Sequence, residues 1–311
     1  MSEKKTSAAM CEKPVDAIVT GVQSRGLWAD AWRRFRKDRL ATVGLVVILF
    51  LVAVAIATLI IDWATHNAIY DQYVIKQNLS MKLAGPSLEH IFGCDEYGRD
   101  ILFRLIWGTR YSLFIGIVSI LFALICGGVL GAVAGFYSGW IDNLIMRVMD
   151  IFLSIPSMVM AIAIVSALGT GTFNLLLSIS VPQIPRLARI VRASVMSVKD
   201  REFVEAARAV GAGDALIIFK YVIPNCLAPI IVQASLNVGT AILNIAGLSF
   251  LGIGVEAPAP EWGSILNAAR TYMRDAWHIS IIPGLVIMLT VLSLNLVGDG
   301  LRDALDPKLK N

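Results

Sequence analysis

The residues best placed for specific chemistry form a short polar segment between two long apolar runs. Residues 201–210 contain no Gly or Pro, and Glu205 follows Arg201 by one helical turn and precedes Arg208 by just under a turn. A carboxylate flanked in this way by guanidinium groups pairs with its own helix or with charges on another protein. The chemistry that these residue types favour is therefore charge-based recognition.

The same segment predicts a helix that stops abruptly before a second helix. Phe203, Ala207 and Val210 recur at the spacing that lines one helical face. Gly211 follows directly, and a residue without a Cβ adopts the left-handed conformation that ends a helix at no steric cost. We expect Asp214 to cap the next helix. Four alanines leave a surface of low relief that a partner can approach closely: Ala206, Ala207, Ala209 and Ala212.

Glu205-Ala206-Ala207, followed by Gly211 and by Ile223-Pro224, resembles the EAA loop of permease subunits in ATP-binding cassette importers. The one departure is Val222 in a Val-Ile-Pro sequence where Ile-Leu-Pro is usual. The resemblance implies that this segment docks into an ATPase subunit through Arg201, Glu205, Ala206, Ala207, Arg208, Gly211 and Asp214. The alternative is a surface helix with an intrahelical Glu–Arg pair, which contributes only about 0.2–0.5 kcal/mol.

The composition indicates an integral membrane protein. The chain is 57% hydrophobic and 16% charged, against about 45–50% and 25% in soluble proteins, and its mean hydropathy is +0.71. Its 311 residues accommodate about six spans of roughly 20 residues each and leave no room for an ATPase domain. Because the sequence has no GxxxxGK[ST] loop, we expect no nucleotide cofactor in this chain and no ATP hydrolysis by it.

No constellation for catalysis or metal binding accompanies the polar segment. The cysteines are scattered singly without a CxxC pair, and the three histidines are not clustered. These residues are Cys11, Cys94, Cys126 and Cys226, and His66, His90 and His278. An intramembrane enzyme is therefore disfavoured. An ion-coupled secondary transporter is the alternative of another class, although it predicts ionisable groups near mid-membrane, and spans one, two, five and six have none.

Charge-free runs divide the chain into predicted segments. Residues 1–40 form a cytoplasmic tail and an interfacial amphipathic helix, 41–61 the first span, and 62–110 an outer loop that leads into span two. Residues 111–306 form spans two to six, with a cytoplasmic coupling loop at 186–226, and 307–311 a second tail. Nine Lys or Arg residues precede span one and seven lie in 186–226, against two each in 62–97 and 256–278. This bias places both termini in the cytoplasm.

Three features within the spans carry further predictions. Gly127, Gly131 and Gly135 expose backbone on one face of span two and permit close helix packing. Arg147 and Asp150 are three residues apart, so each is expected to partner the other. Pro182 and Pro185 should break the fourth span. Arg99, Arg104 and Arg110 lie on the predicted outer side, against the usual bias.

Polar residues in span five are candidates for a translocation pathway. They are Gln233, Asn237, Thr240 and Asn244. Uncharged hydrogen-bonding groups can bond to a polar substrate without trapping it. Alternatively, they bond neighbouring helices at about 0.6 kcal/mol each.

With this topology, further stretches are similar to the second permease subunit of dipeptide, oligopeptide, nickel or glutathione importers. They are residues 90–101, 135–142, 146–152, 248–254, 260–263 and 295–307. The resemblance implies an all-α, six-span type I importer fold in a bacterial cytoplasmic membrane. It implies as partners a second permease, two ATPase subunits that bind ATP and Mg, and an extracytoplasmic binding protein, with no nucleic acid. Peptides rank first as substrate, ahead of glutathione and nickel.

Overall fold

The computed structural model of the protein describes residues 27–305, and this range is helical apart from loops and one isolated bridge between Cys94 and Asp100. The tails predicted at 1–25 and 307–311 lie outside the described residues. Within residues 27–305, the helices of eight residues or more are α1 (Leu27–Phe35), α2 (Arg39–Thr65), α3 (Ile101–Tyr137), α4 (Gly139–Ser154), α5 (Ser157–Leu168), α6 (Thr172–Ser180), α7 (Ile184–Met196), α8 (Glu202–Ala209), α9 (Ile223–Phe250), α10 (Trp262–Ala269) and α11 (His278–Leu305).

Four helical runs of the described residues are long and apolar enough to cross a membrane. They are α2, α3, the run Asp214–Phe250 that ends with α9, and α11. The pair α4 and α5 meets the same test when taken together, but bends by 88° at its break. Pro156 explains the break, because it forces Ile155 into an extended conformation. The structure thus contains four such runs, or five with the bent pair.

The fourth predicted span is interrupted, as its prolines suggested. A 3₁₀ turn, Val181–Gln183, contains Pro182 and separates α6 from α7, while Pro185 stands in the first turn of α7. Each helix is therefore too short to cross a membrane alone, although the two form a nearly continuous run over 172–196.

Helix α3 starts at Ile101, ten residues before the predicted boundary, so the loop predicted to reach 110 ends at Asp100. The Asp100 side chain caps the helix by accepting the backbone N–H of Phe103 at 3.1 Å. Arg104 and Arg110 thereby lie inside the helix. Likewise, helices occupy most of the coupling loop predicted at 186–226.

The glycines of α3 allow it to contact α7 closely, which confirms the sequence prediction. A Cβ built on Gly127 would lie 2.7 Å from the Ile184 carbonyl oxygen, and one on Gly135 would lie 2.8 Å from that of Arg192. A Cβ on Gly131 would overlap the Ala188 carbonyl. The two backbones are therefore in direct contact along two turns.

Helix α3, 37 residues long, joins two buried clusters. At its C-terminal end Ala132 and Phe136 pack in the cluster that contains Val204 of α8. At its N-terminal end Ile101 and Leu105 pack with residues of α10. We call these regions the α8 end and the α10 end of the bundle.

Candidate functional site

The polar segment folds as the short helix α8, which ends as the sequence predicted. Arg201, in an extended conformation, precedes the first helical residue. Gly211 has φ +83°, its N–H donates to the Arg208 carbonyl at 2.9 Å, and the Ala212 N–H donates to the Ala207 carbonyl at 3.1 Å. These two bonds form a Schellman motif, which requires the left-handed residue. The role of Gly211 as a helix stop is confirmed.

The buried face of α8 packs against a π-helical stretch. Val204 is fully buried and Ala207 nearly so, and both pack with Ile217 and Ile218 of a π-helical stretch, Ile217–Val222. Phe203 and Val210, which helical spacing places on one face with Ala207, are exposed. Val204, not Phe203, is the residue of α8 that faces the π-helical stretch beside Ala207.

The exposed side of α8 combines apolar and acidic groups. Phe203, Ala206 and Val210 lie at i, i+3 and i+7 and so share a face, while Glu205 is exposed on the next face, about 100° around the helix from Ala206. Val210 is 84% exposed. We call these four residues the coupling surface. An apolar patch of this kind beside a carboxylate suits a groove in a partner protein.

Glu205 forms no ion pair with Arg201 or Arg208 among the residues that the structure describes. The Arg208 guanidinium lies instead 5.4 Å from the centre of the Phe136 ring on α3. The intrahelical pair of the alternative interpretation is therefore not formed, and the Glu205 carboxylate is available at the surface.

Asp214 does not cap the next helix. Gly213 occupies the capping position, Asp214 is the first helical residue, and no side-chain capping bond forms there. The helix therefore begins one residue earlier than the sequence pattern suggested. The carboxylate of Asp214 still lies in the first turn, where negative charge is favourable.

Ion pairs at the α8 end join α4 to α7. Arg192 donates to both oxygens of Asp142, from Nε at 2.5 Å and Nη2 at 2.6 Å, and Arg189 pairs with Asp150. Lys199 donates to the Ser138 hydroxyl at 2.5 Å. The predicted Arg147–Asp150 pair is wrong, because α7 brings Arg189 to Asp150. Because Asp150 and Arg189 are 39 residues apart, the local sequence could not predict that they pair.

The four pathway candidates lie on one side of α9 but differ in burial. Gln233 donates to the Asn237 side-chain oxygen at 3.0 Å within the helix. Asn237 is 6% exposed and its Nδ2 is buried without a partner among the described residues. Thr240 is exposed, and Asn244 is half-buried. Thr240 is thus the candidate best placed to face a pathway, and the pathway itself stays a prediction.

The α10 end buries a charge network that sequence reasoning missed. Arg99 donates from Nε to Asp95 Oδ2 at 2.7 Å, Arg104 lies 3.4 Å from the same oxygen, and Arg110 pairs with Asp62. The sequence did contain one signal for this network. Its arginines lie on the predicted outer side, where the charge bias disfavours them, and buried arginines need carboxylate partners. Burial also raises the pKa of the neighbouring Glu96 carboxyl above its usual value.

Glu261 organises the start of α10. Its carboxylate accepts the backbone N–H groups of Gly263 and Ser264, both at 2.9 Å, and the Ser112 hydroxyl of α3 at 3.2 Å. The Trp262 ring is fully buried and its Nε1 donates to the Leu105 carbonyl at 3.1 Å. These bonds fix α10 to the start of α3.

A set of membrane-length apolar helices with a short, partly exposed helix at one end defines a multi-pass membrane protein. The chain belongs to the family described as binding-protein-dependent transport system inner membrane component, whose profile matches residues 127–311. A second profile, the N-terminal TM domain of oligopeptide transport permease C, matches residues 26–86. The protein is accordingly a permease subunit of an ABC importer in a bacterial inner membrane, and permease subunits of this family are in general non-catalytic.

Relatives cover nearly the whole chain. The dipeptide transport system permease protein of Alkalihalophilus pseudofirmus is 45% identical over 284 residues, with 91% of each chain covered. The di/tripeptide transport system permease protein of Pseudomonas aeruginosa is 45% identical, covering 91% of this chain and 92% of its own. The glutathione transport system permease protein of Pectobacterium atrosepticum is 42% identical, covering 94% and 95%.

The fold is similar to a chain of the MetNI methionine ABC transporter in an inward-facing conformation. The TM-score is 0.55 at 19% sequence identity, with 66% of this chain and 98% of that chain covered. This similarity supports an importer permease fold.

Proposed function

We propose that the protein is one of two permease subunits of an importer that moves short peptides into the cytoplasm by alternating access. Two ATPase subunits, which bind ATP and Mg, drive it, and an extracytoplasmic binding protein delivers the substrate. Relatives named for dipeptides, for di/tripeptides and for glutathione all carry a peptide-like substrate. Glutathione, and then nickel, are the alternatives within the same importer type.

The places where the interrupted helices end support six crossings with both termini in the cytoplasm. Asp142 at the start of α4 pairs with α7 at the α8 end. Thr170, just after α5, donates to Glu256 beyond the end of α9, at the α10 end. The pair α4 and α5 thus connects the two ends, and the run 172–196 returns to the α8 end. These two crossings supplement the four long helical runs.

The observation that carries the proposal is the way α8 is held. Its buried residues Val204 and Ala207 belong to one apolar cluster with α3, α7 and the segment before α9. A displacement of α8 therefore moves the ends of three long elements together. The coupling surface remains open to an ATPase, which supports a transfer of motion from nucleotide-driven closure to the spans.

Replacement of Glu205 tests this coupling. We expect Glu205→Ala to lower peptide uptake by at least about tenfold in the assembled transporter while the subunit still inserts and ATP hydrolysis continues. The reason is that Glu205 would pair with a basic group of the ATPase in the assembled transporter, and removing one member of a charge pair buried at that interface costs about 3–5 kcal/mol. Uptake and ATPase rates are measured on the same proteoliposomes.

Asp200→Asn is the matched control, since Asp200 is an exposed carboxylate near α8 but outside it, and it should leave uptake unchanged. Normal uptake by both Glu205→Ala and Gly211→Ala would remove the coupling assignment. Labelling of residues 201–211 from the outer side of intact cells would also contradict the orientation.

Thr240 and Asn237 test the pathway. We expect a cysteine at Thr240 to react with an aqueous thiol reagent in the assembled transporter, because Thr240 is exposed on α9, whereas one at the buried Asn237 should react more slowly. Background labelling is set by the same reagent on the protein without the added cysteine. If neither cysteine reacts, this face of α9 does not line the pathway.

A further inference from the structure

A polar cavity of about 820 Å³ lies at the α10 end. Its walls come from the segment that leads into α3, the end of α9, the loop that follows α9, and α10. The volume is within the range of about 300–1,000 Å³ that is usual for pockets that hold small molecules. Neither the coupling surface nor the predicted pathway residues line this cavity.

Two buried polar atoms of the cavity lining lack a hydrogen-bond partner among the described residues. They are Ser249 Oγ and Arg104 Nε, on side chains that are 2% and 4% exposed. Arg104 Nε lies 3.4 Å from an Asp95 oxygen but does not form a hydrogen bond with it. Both atoms are N–H or O–H donors, and a buried donor without a partner is unfavourable. They therefore indicate that an acceptor enters from outside.

One wall of the cavity has guanidinium groups with donors to spare. Arg99 uses its Nε–H on Asp95, and its Nη2 lies 3.7 Å from Glu96, beyond hydrogen-bonding distance. The remaining N–H groups of Arg99 form a planar fork, which is the geometry that a carboxylate accepts in two parallel bonds. Arg104 adds a second guanidinium to the same wall. This wall suits a carboxylate.

A different wall presents a carboxylate. Glu256, exposed in the loop after α9, accepts the Thr170 hydroxyl through Oε1 at 2.5 Å. Within the described residues its Oε2 accepts no side-chain bond, and no ion pair involves Glu256. An unpaired carboxylate of this kind suits an ammonium group. The half-buried amide of Asn267 adds a neutral group that can bond to a peptide unit.

We propose that this cavity binds a short peptide by its two free ends. The α-carboxylate lies at Arg99, Arg104 and Ser249, and the α-ammonium lies at Glu256. The proposal rests on the proposed function, because it names where this subunit would hold the peptide. Opposite charges on different walls match a zwitterion such as a short peptide with free termini.

The test uses the purified transporter, with the full chain and its partner subunits, without ATP and without the binding protein. Equilibrium dialysis measures the affinity for dialanine, for N-acetyl-dialanine and for dialanine amide. We expect dialanine to bind about tenfold more tightly than either blocked peptide, as one charge-assisted hydrogen bond predicts. Glu256→Gln should weaken dialanine about tenfold and leave N-acetyl-dialanine unchanged, because both changes remove the same interaction.

Two variants complete the design. Ser249→Ala should weaken dialanine about threefold, since it removes a neutral hydroxyl donor. Glu89→Gln, which alters an exposed carboxylate outside the cavity, should change nothing. Size-exclusion profiles show that each variant assembles.

Several results would overturn the proposal: no binding of dialanine to the unaltered transporter, equal affinities for the three peptides, or an effect of Glu256→Gln that is the same for free and acetylated dialanine. A Glu256→Gln variant that weakens only the association of the binding protein would identify the cavity as a docking site for that protein.

Peptide uptake is measured separately. Normal uptake without dialanine binding overturns the cavity alone, while absence of peptide uptake overturns the proposed function.

Discussion

Both ends of the bundle bury an apolar cluster, but the α10 end also buries both members of an ion pair. At the α8 end the buried cluster is apolar and the Asp150–Arg189 ion pair is about half exposed. At the α10 end Asp95, Arg99 and Arg104 are each less than 10% exposed. An apolar cluster moves as one body and tolerates changes at its surface, whereas a buried charge network depends on each member. The α8 end is thus suited to transmit motion, and the α10 end to fix the geometry around a cavity.

Removal of a charge at the α10 end should have the largest effect. Asp95→Ala leaves Arg99 and Arg104 buried without their shared carboxylate, and we expect it to lower the free energy of unfolding by about 3–5 kcal/mol. Thermal unfolding of the detergent-solubilised protein measures the loss. Glu89→Ala, at an exposed site, is the control, and equal midpoints for the two variants would contradict the comparison.

Close packing of α3 on α7 should be the next most sensitive feature. Gly131→Ala adds a Cβ that overlaps the Ala188 carbonyl, and we expect a loss of about 1–3 kcal/mol of stability. Gly128→Ala, three residues earlier, meets no atom within 4 Å and should be tolerated. The same unfolding assay compares them. If the two variants behave alike, α3 and α7 are not in backbone contact.

The helix stop at Gly211 should give a smaller, local effect. An alanine in the left-handed conformation costs about 1–2 kcal/mol, whereas asparagine adopts it more readily. We therefore expect Gly211→Ala to increase protease cleavage within 197–213 and to lower uptake more than Gly211→Asn does. Gly213→Ala, at φ −72° and with open space for a Cβ, serves as the control. Equal cleavage of the alanine and asparagine variants would contradict the Schellman motif.

The ion pairs of α4 should rank last and differ from each other. Asp142→Asn removes the charge and one of the two oxygens that accept from Arg192, at a site where the Asp142 side chain is 10% exposed, and should cost about 1 kcal/mol. Asp150→Asn removes the more exposed pair and should cost no more than about 0.5 kcal/mol. A larger loss at Asp150 than at Asp142 would show that burial does not decide the ranking.

Features coded by local sequence were predictable. The charge-free runs indicated the long helices, and the stripe of Gly127, Gly131 and Gly135 indicated close packing, because helical spacing alone brings them to one face. Gly211 was identified as a helix stop because the left-handed conformation favours glycine. Each of these inferences needs only the chain itself.

Features that depend on distant partners were not predictable. Asp150 pairs with Arg189, 39 residues away, instead of with Arg147, since contact between α4 and α7 decides the partner. The buried face of α8 contains Val204 because of the π-helical stretch beneath it. The cavity at the α10 end combines segments between residues 96 and 272, and no spacing rule joins them.

The length of helix α3 should make the protein sensitive to the thickness of its bilayer. Its uncharged stretch, 111–137, is about 40 Å long at 1.5 Å per residue, while the hydrocarbon core measures about 30 Å. The helix must tilt, or the bilayer must thicken locally, to remove this mismatch. Since α3 joins both ends of the bundle, lipids with longer acyl chains should make it more upright, and transport rates in vesicles should vary with acyl-chain length.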